Sequence, residues 1–155
     1  VALQTYGQDS TCQINASWTD LKTQLKRRSD IVSNLTVVLS NLKTDKELLN
    51  NLKIAAIDVF KYVDTLSLRN SVAVSLAATK NNKLTESLGR TLITTENNKK
   101  ISSNKEFINL LMQLEGCENR IVVAKQDYNN ACKICNRTDL VFNVEQVNNV
   151  PKVKF

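Results

Sequence analysis

The residues of this 155-residue chain that could do chemistry are few and fall into three clusters. Glu115 and Glu118 stand three apart in "LEGCENR", with Arg120 just beyond. On a helix that spacing puts both carboxylates on one face, as a general acid and base would require. Cys132 and Cys135 form "CKIC", with Cys12 and Cys117 as the other two thiols; such a pair serves thiol redox chemistry or holds zinc. Lys26, Arg27 and Arg28 make the one compact basic cluster, a candidate contact for an acidic partner or an anionic lipid surface.

Each cluster has a plainer explanation. No nucleophile, oxyanion hole or phosphate loop accompanies the glutamates in sequence, so Glu115, Glu118 and Arg120 are expected to form a structural ion network, and no catalytic residue is assigned. The chain has no histidine. That removes the commonest general base and metal ligand, and with them the Glu-x-x-His pairs of di-metal bundles. A thioredoxin-type pair begins a helix, whereas "CKIC" ends one, and Cys117 lies about four turns from Cys132. No metal, cofactor or small-molecule substrate is expected. Lys and Arg outnumber Asp and Glu by 21 to 15, but the excess is dispersed and aromatics are only 5%, which argues against nucleic acid. Three Asn-x-Ser/Thr sequons, at Asn15, Asn34 and Asn136, matter only in a eukaryotic secreted setting.

Helices must position these groups, because three Gly and one Pro leave little material for β turns. The first is expected from about Ser10 to Asn41, with Trp18, Leu21, Leu25, Val32, Leu35, Leu39 and Leu42 as its apolar seam. The second opens at "TDKELL", capped by Thr44 or Asp45, with a stripe through Leu49, Leu52, Ala56, Val59, Val63 and Leu66. A third is weaker, with "NNK" at 81–83 as an interruption before Leu84, Leu88 and Leu92. "ENNKKISSN" is expected as a connection, with Ser102 or Ser103 capping the fourth helix. That helix carries the clearest seam, Phe107, Leu110, Leu114, Cys117, Ile121, Ala124, Tyr128, Ala131 and Cys135. Four stripes with short polar links predict an all-α, antiparallel up-down-up-down four-helix bundle over residues 1–142, followed by a tail at 143–155 that docks or stays mobile.

In such a bundle, residues of the first and fourth helices whose numbers add to roughly 146 lie at one level. Trp18 then faces Tyr128, and Cys12 comes near Cys132 and Cys135. The ordinary expectation is four reduced cysteines serving as small apolar fillers; a Cys12–Cys135 or Cys12–Cys132 bridge is the alternative. Arg28 sits in the seam itself. Either it enters the core to meet Glu115 or Glu118 in a bidentate pair, or it lies at the seam edge and reaches water while Ile31 takes the core slot. Charges rarely leave water, which favours the edge.

"WTDLKTQLKRRSDIVSNL" and "NKEFINLLMQLEGCENRIVVAKQDYNNACKICN" resemble the two signature blocks of the LemA family, a Trp before L-K-R-R-x-D-L-I-P-N-L and the run N-x-x-F, L-E-G-T-E-N-R-I, A-R-x-x-Y-N. "LTESLGRTLITTE" resembles the third-helix block. The residues that carry the likeness include Trp18, Leu25, Arg27, Arg28, Asp30, Asn34, Glu115, Glu118, Asn119, Arg120, Tyr128 and Asn129. Ser33 stands where the family has Pro, Cys117 where it has Thr, Lys125 where it has Arg and Cys135 where it has Tyr. The "Y-P-x-L" link is absent.

The resemblance implies a four-helix bundle, an amino-terminal membrane anchor running into the first helix, and no established enzymatic activity. Typical members are bacterial, and one branch is associated with magnetosome membranes. The chain starts at Val1 without Met and has no run of about 18 apolar residues, so the anchor is expected upstream of Val1, with Tyr6 just after it. The expected function is non-enzymatic: a membrane-tethered helical scaffold that recruits a protein partner, on the extracytoplasmic side. The alternative is direct binding of anionic lipid by the basic bundle, in magnetosome or other membrane biogenesis.

Overall fold

The computed structural model describes residues 12–142, and within them every long element is a helix. They are α1 (Ile14–Asn41), α2 (Lys46–Thr65), α3 (Ser71–Thr95), the single turn α4 (Lys99–Ser102) and α5 (Lys105–Ile134), followed by a 3-10 turn at Thr138–Leu140. Ser10, Tyr6 and the tail at 143–155 lie outside the described residues. Among the described residues there is no strand.

Short polar side chains start the helices by accepting hydrogen bonds from otherwise unpaired backbone N–H groups. Asp45 accepts from Leu48 at 2.9 Å, Asn70 from Val72 at 3.0 Å and Asn104 from Phe107 at 2.9 Å. Asn104, and neither Ser102 nor Ser103, therefore opens α5. "ENNKKISSN" is more than a link: Asn98 caps α4, which turns Ile101 into the core. "NNK" does not interrupt α3, because Asn81 is buried there and its polar atoms are taken up from α1.

Two helices end in the same way. After α1, Lys43 adopts φ 61° while its N–H reaches Ser40 and that of Thr44 reaches Leu39. After α5, Asn136 adopts φ 56° with bonds from Asn136 to Lys133 and from Arg137 to Cys132. This is the left-handed helix stop that returns the last carbonyls to partners. Asn tolerates that conformation through its short side chain, whereas Lys43 holds it without such help.

α1 packs along α5 and α2, α2 packs on α3, and the 3-10 turn rests on α3 and α5. Trp18 lies 5.5 Å from Tyr128 between ring centroids, and Arg28 lies 3.0 Å from Glu118. As one number rises the other falls, so α1 and α5 run antiparallel at the level expected from sequence. Leu21, Leu25, Val32, Leu35 and Leu39 of α1 are fully buried, as are Cys117 and Tyr128 of α5. Each large aliphatic side chain removed from water in this way stabilises the fold by about 1.5–3 kcal/mol. Ile31 joins them without displacing Arg28, which is itself buried, so the buried face of α1 widens there and the seam keeps its phase.

Candidate functional site

Arg28 is where three helices meet. It stands on the inner face of α1 because its neighbours Leu25 and Val32 hold that face against α5. Its side chain is 3% exposed. Nη1 donates to both oxygens of Glu118, at 3.0 and 3.3 Å. Nη2 donates into α3, to the Asn81 side-chain oxygen at 2.8 Å, the Asn81 carbonyl at 3.2 Å and the Thr85 hydroxyl at 3.0 Å. The Thr85 hydroxyl in turn donates to the Asn81 carbonyl at 3.1 Å. A charge out of water is tolerable when it is both paired and hydrogen-bonded, and here it is both.

The seam-edge expectation for Arg28 is therefore overturned. Asn81 and Thr85 supply neutral acceptors inside, and Glu118, whose side chain is 40% exposed, carries the compensating charge at the rim. The pair is also not the bidentate fork expected, since one nitrogen faces both carboxylate oxygens. Glu115 takes no part: it is exposed and makes no ion pair among the described residues.

One turn along, α5 grips α1 a second time. The Arg120 Nε donates to the Gln24 side chain at 3.2 Å, and the Cys117 thiol donates to the Gln24 carbonyl at 3.4 Å. Arg120 lies across Gly116, where an added Cβ would meet the guanidinium at 3.5 Å, an ordinary contact. A helix-interior glycine is costly for its entropy in the unfolded chain. Gly116→Ala is thus expected to raise stability by about 0.5–1 kcal/mol, read as a later denaturation midpoint. A loss would mean that Arg120 cannot yield by the small amount required.

The far end of α5 is closed by the segment after it. Cys12 and Cys135 form a disulfide with their Cα atoms 5.3 Å apart, which corrects the expectation of four reduced thiols and selects Cys135 over Cys132 as the partner of Cys12. The Tyr128 hydroxyl donates to the Leu140 carbonyl at 2.8 Å. Asn129 clamps Phe142 at two points, accepting from its N–H at 2.8 Å and donating to its carbonyl at 3.2 Å. Phe142 then fills the space beside Trp18, with ring centroids 6.4 Å apart. Tyr128 and Asn129 are thus positioning residues.

Cys117 and Cys132 are buried free thiols. Burial pushes both above the usual thiol range, so the nucleophilic thiolate is scarce at neutral pH. Neither should react with iodoacetamide at pH 8 in the folded protein, and both should react on unfolding. Rapid native-state alkylation of Cys132 would contradict the placement.

Of the basic cluster, Arg28 is consumed inside and Lys26 is tied down. Lys26 binds Asp64 at 2.7 Å, holding that carboxyl below the usual carboxylate range, and lies 4.6 Å from the Phe60 ring centroid. Arg27 is the exposed member. Asp30, Asn34 and Asn119 are exposed as well, whereas Leu25 is core. Gln24, Asn81, Thr85 and Phe142 carry contacts that sequence reasoning did not single out. A buried-phase Asn inside an otherwise apolar helix face was the available signal for Asn81.

No described helix is long and apolar enough to cross a membrane, and no cluster of metal-ligating side chains occurs among the described residues. A family model described as "LemA family" matches residues 17–155. Comparison with curated proteins finds no match.

Proposed function

Because the chain belongs to the LemA family, we propose that it works as a non-enzymatic, membrane-tethered helical scaffold whose surface recruits a protein partner. In this reading the four long helices form one antiparallel up-down-up-down bundle, supported by the α1/α2 and α2/α3 neighbours, the antiparallel α1 and α5, and the arginine that reaches from α1 to α3. The tether in this reading is an amino-terminal membrane anchor, which the family likeness supports. The Cys12–Cys135 bridge supports an oxidising, extracytoplasmic setting, where disulfides persist.

The observation that carries the proposal is how the signature residues are used. Arg28, Glu118, Arg120, Tyr128 and Asn129 place their polar atoms on other parts of the frame. Facing outward, beside the exposed signature residues Arg27, Asp30, Asn34, Glu115 and Asn119, is a set of large apolar side chains, among them Val37, Ile57, Val72 and Val123. A rigid frame with exposed apolar positions suits docking of another protein.

In-cell crosslinking of the full-length protein, followed by purification through a moderate-salt wash, tests this. The expected result is a discrete crosslinked protein. No crosslinked protein, together with salt-sensitive flotation on anionic vesicles, would replace recruitment by lipid binding.

A further inference from the structure

The outer groove between α1 and α2 holds two recesses in line. The first, about 190 Å³, is floored by Ser29, Ser33 and Ala56 and walled by Ile57 and Phe60. The second, about 290 Å³, lies between Val37 and Ser40 of α1 and Leu49 and Lys53 of α2. Small residues keep both open: no side chain at Ser29, Ser33, Ala56 or Ser40 is large enough to fill the space between the helices. The recesses are centred about eight residues apart on α1, which at 1.5 Å per residue is roughly 12 Å, close to two helical turns.

The rim is basic. Lys46 and Lys53 line the second recess and Lys61 the first, against the single carboxylate of Asp30. None of the three lysines makes an ion pair among the described residues, whereas Lys22 and Lys26 of α1 are paired with Asp64, and Lys80 of α3 with Asp58. The apolar edges are open too, with Val37 58% and Ile57 38% exposed. At the floor, the Ser29 hydroxyl is buried without a hydrogen-bond partner.

Building on the recruiting role above, we propose that this groove receives an acidic amphipathic helix of the partner protein, with apolar side chains at i and i+7 entering the two recesses and carboxylates meeting Lys46, Lys53 and Lys61. Helix-in-groove recognition uses that anchor spacing. Charge selects the occupant. A second copy of this chain carries +6, and residues 143–155 contain two lysines and one glutamate, so both meet a basic rim with the wrong sign. A lipid surface has the right sign but cannot seat anchors in recesses between two helices.

The test is an NMR titration of the full chain with two probe peptides of about 14 residues. Both carry Leu at i, i+3 and i+7, one with Glu and the other with Lys on the flanks. The acidic peptide is expected to shift resonances of α1 and α2 along the groove. Lys53→Glu with Lys61→Glu should weaken it by at least about tenfold, and so should Ser33→Phe, which fills the first recess; circular dichroism confirms that each variant is folded.

Equal binding of the Lys peptide would overturn the proposal. So would tighter peptide binding once residues 143–155 are removed, self-association through the groove, or phosphatidylserine vesicles engaging these lysines while the peptide does not. In cells, photocrosslinkers at Val37 and at Val72 separate the two levels. Capture from Val72 alone keeps recruitment and removes the groove, and capture from neither removes both.

Discussion

Breaking the Cys12–Cys135 bridge is expected to cost the fold about 3–5 kcal/mol. The bond closes a loop with a sequence separation of 123. Its main effect is to restrict the unfolded chain, which grows with loop length as a logarithm and reaches about 4–5 kcal/mol for loops of this order. Cys135→Ser, Cys12→Ser and reduction of the wild type should each lower the melting temperature by roughly 10 °C. The double replacement should add little to either single one, because all three remove the same bond. A larger denaturant m-value should accompany the loss, since the released chain exposes more surface. An unchanged melt under reductant would mean that the bridge is not formed in solution.

Removing one partner of the Arg28–Glu118 pair is the second large effect. Glu118→Ala leaves a guanidinium at 3% exposure with neutral acceptors only, and should cost about 2–3 kcal/mol. This is below the loss for a fully buried pair because water reaches Glu118. Arg28→Ala frees Glu118 to solvent but strips Asn81 and Thr85 of their donor and leaves a void among three helices, for a cost of about 3 kcal/mol or more. Arg28→Met keeps the stem packing and should be the mildest of the three. In a double-mutant cycle of Arg28→Met with Glu118→Ala, the combined loss should fall short of the sum by about 1–3 kcal/mol. An additive cycle would place Arg28 outside the core.

The helices were legible because their apolar periodicity is strong, and the level of α1 against α5 followed from helix geometry alone. Trp18 against Tyr128 and Arg28 against Glu118 both came out of it. The geometry could bring Arg28 to Glu118, but it could not weigh burial. That depended on Asn81 and Thr85, which belong to the helix with the weakest pattern, in a stretch expected to break it. The cysteines show the same limit. Proximity of Cys12 to the end of α5 was readable, whereas the bond depends on which of two thiols three residues apart turns inward: Cys132 points to the core and Cys135 does not. Phe142 was hidden for a different reason. It belongs to no periodic element and docks through two backbone bonds to Asn129, which leave no trace in hydropathy.

The central claim is that Arg28, Glu118, Arg120, Tyr128 and Asn129 hold the frame while the outer faces recruit the partner. The most direct test is the yield of crosslinked partner in cells from full-length protein carrying Arg28→Met with Glu118→Gln, normalised to folded protein. Yield equal to wild type is the predicted result, because the pair is spent on joining α1, α3 and α5. A well-folded double variant that captures no partner would contradict the claim and make the arginine network itself the recruiting site.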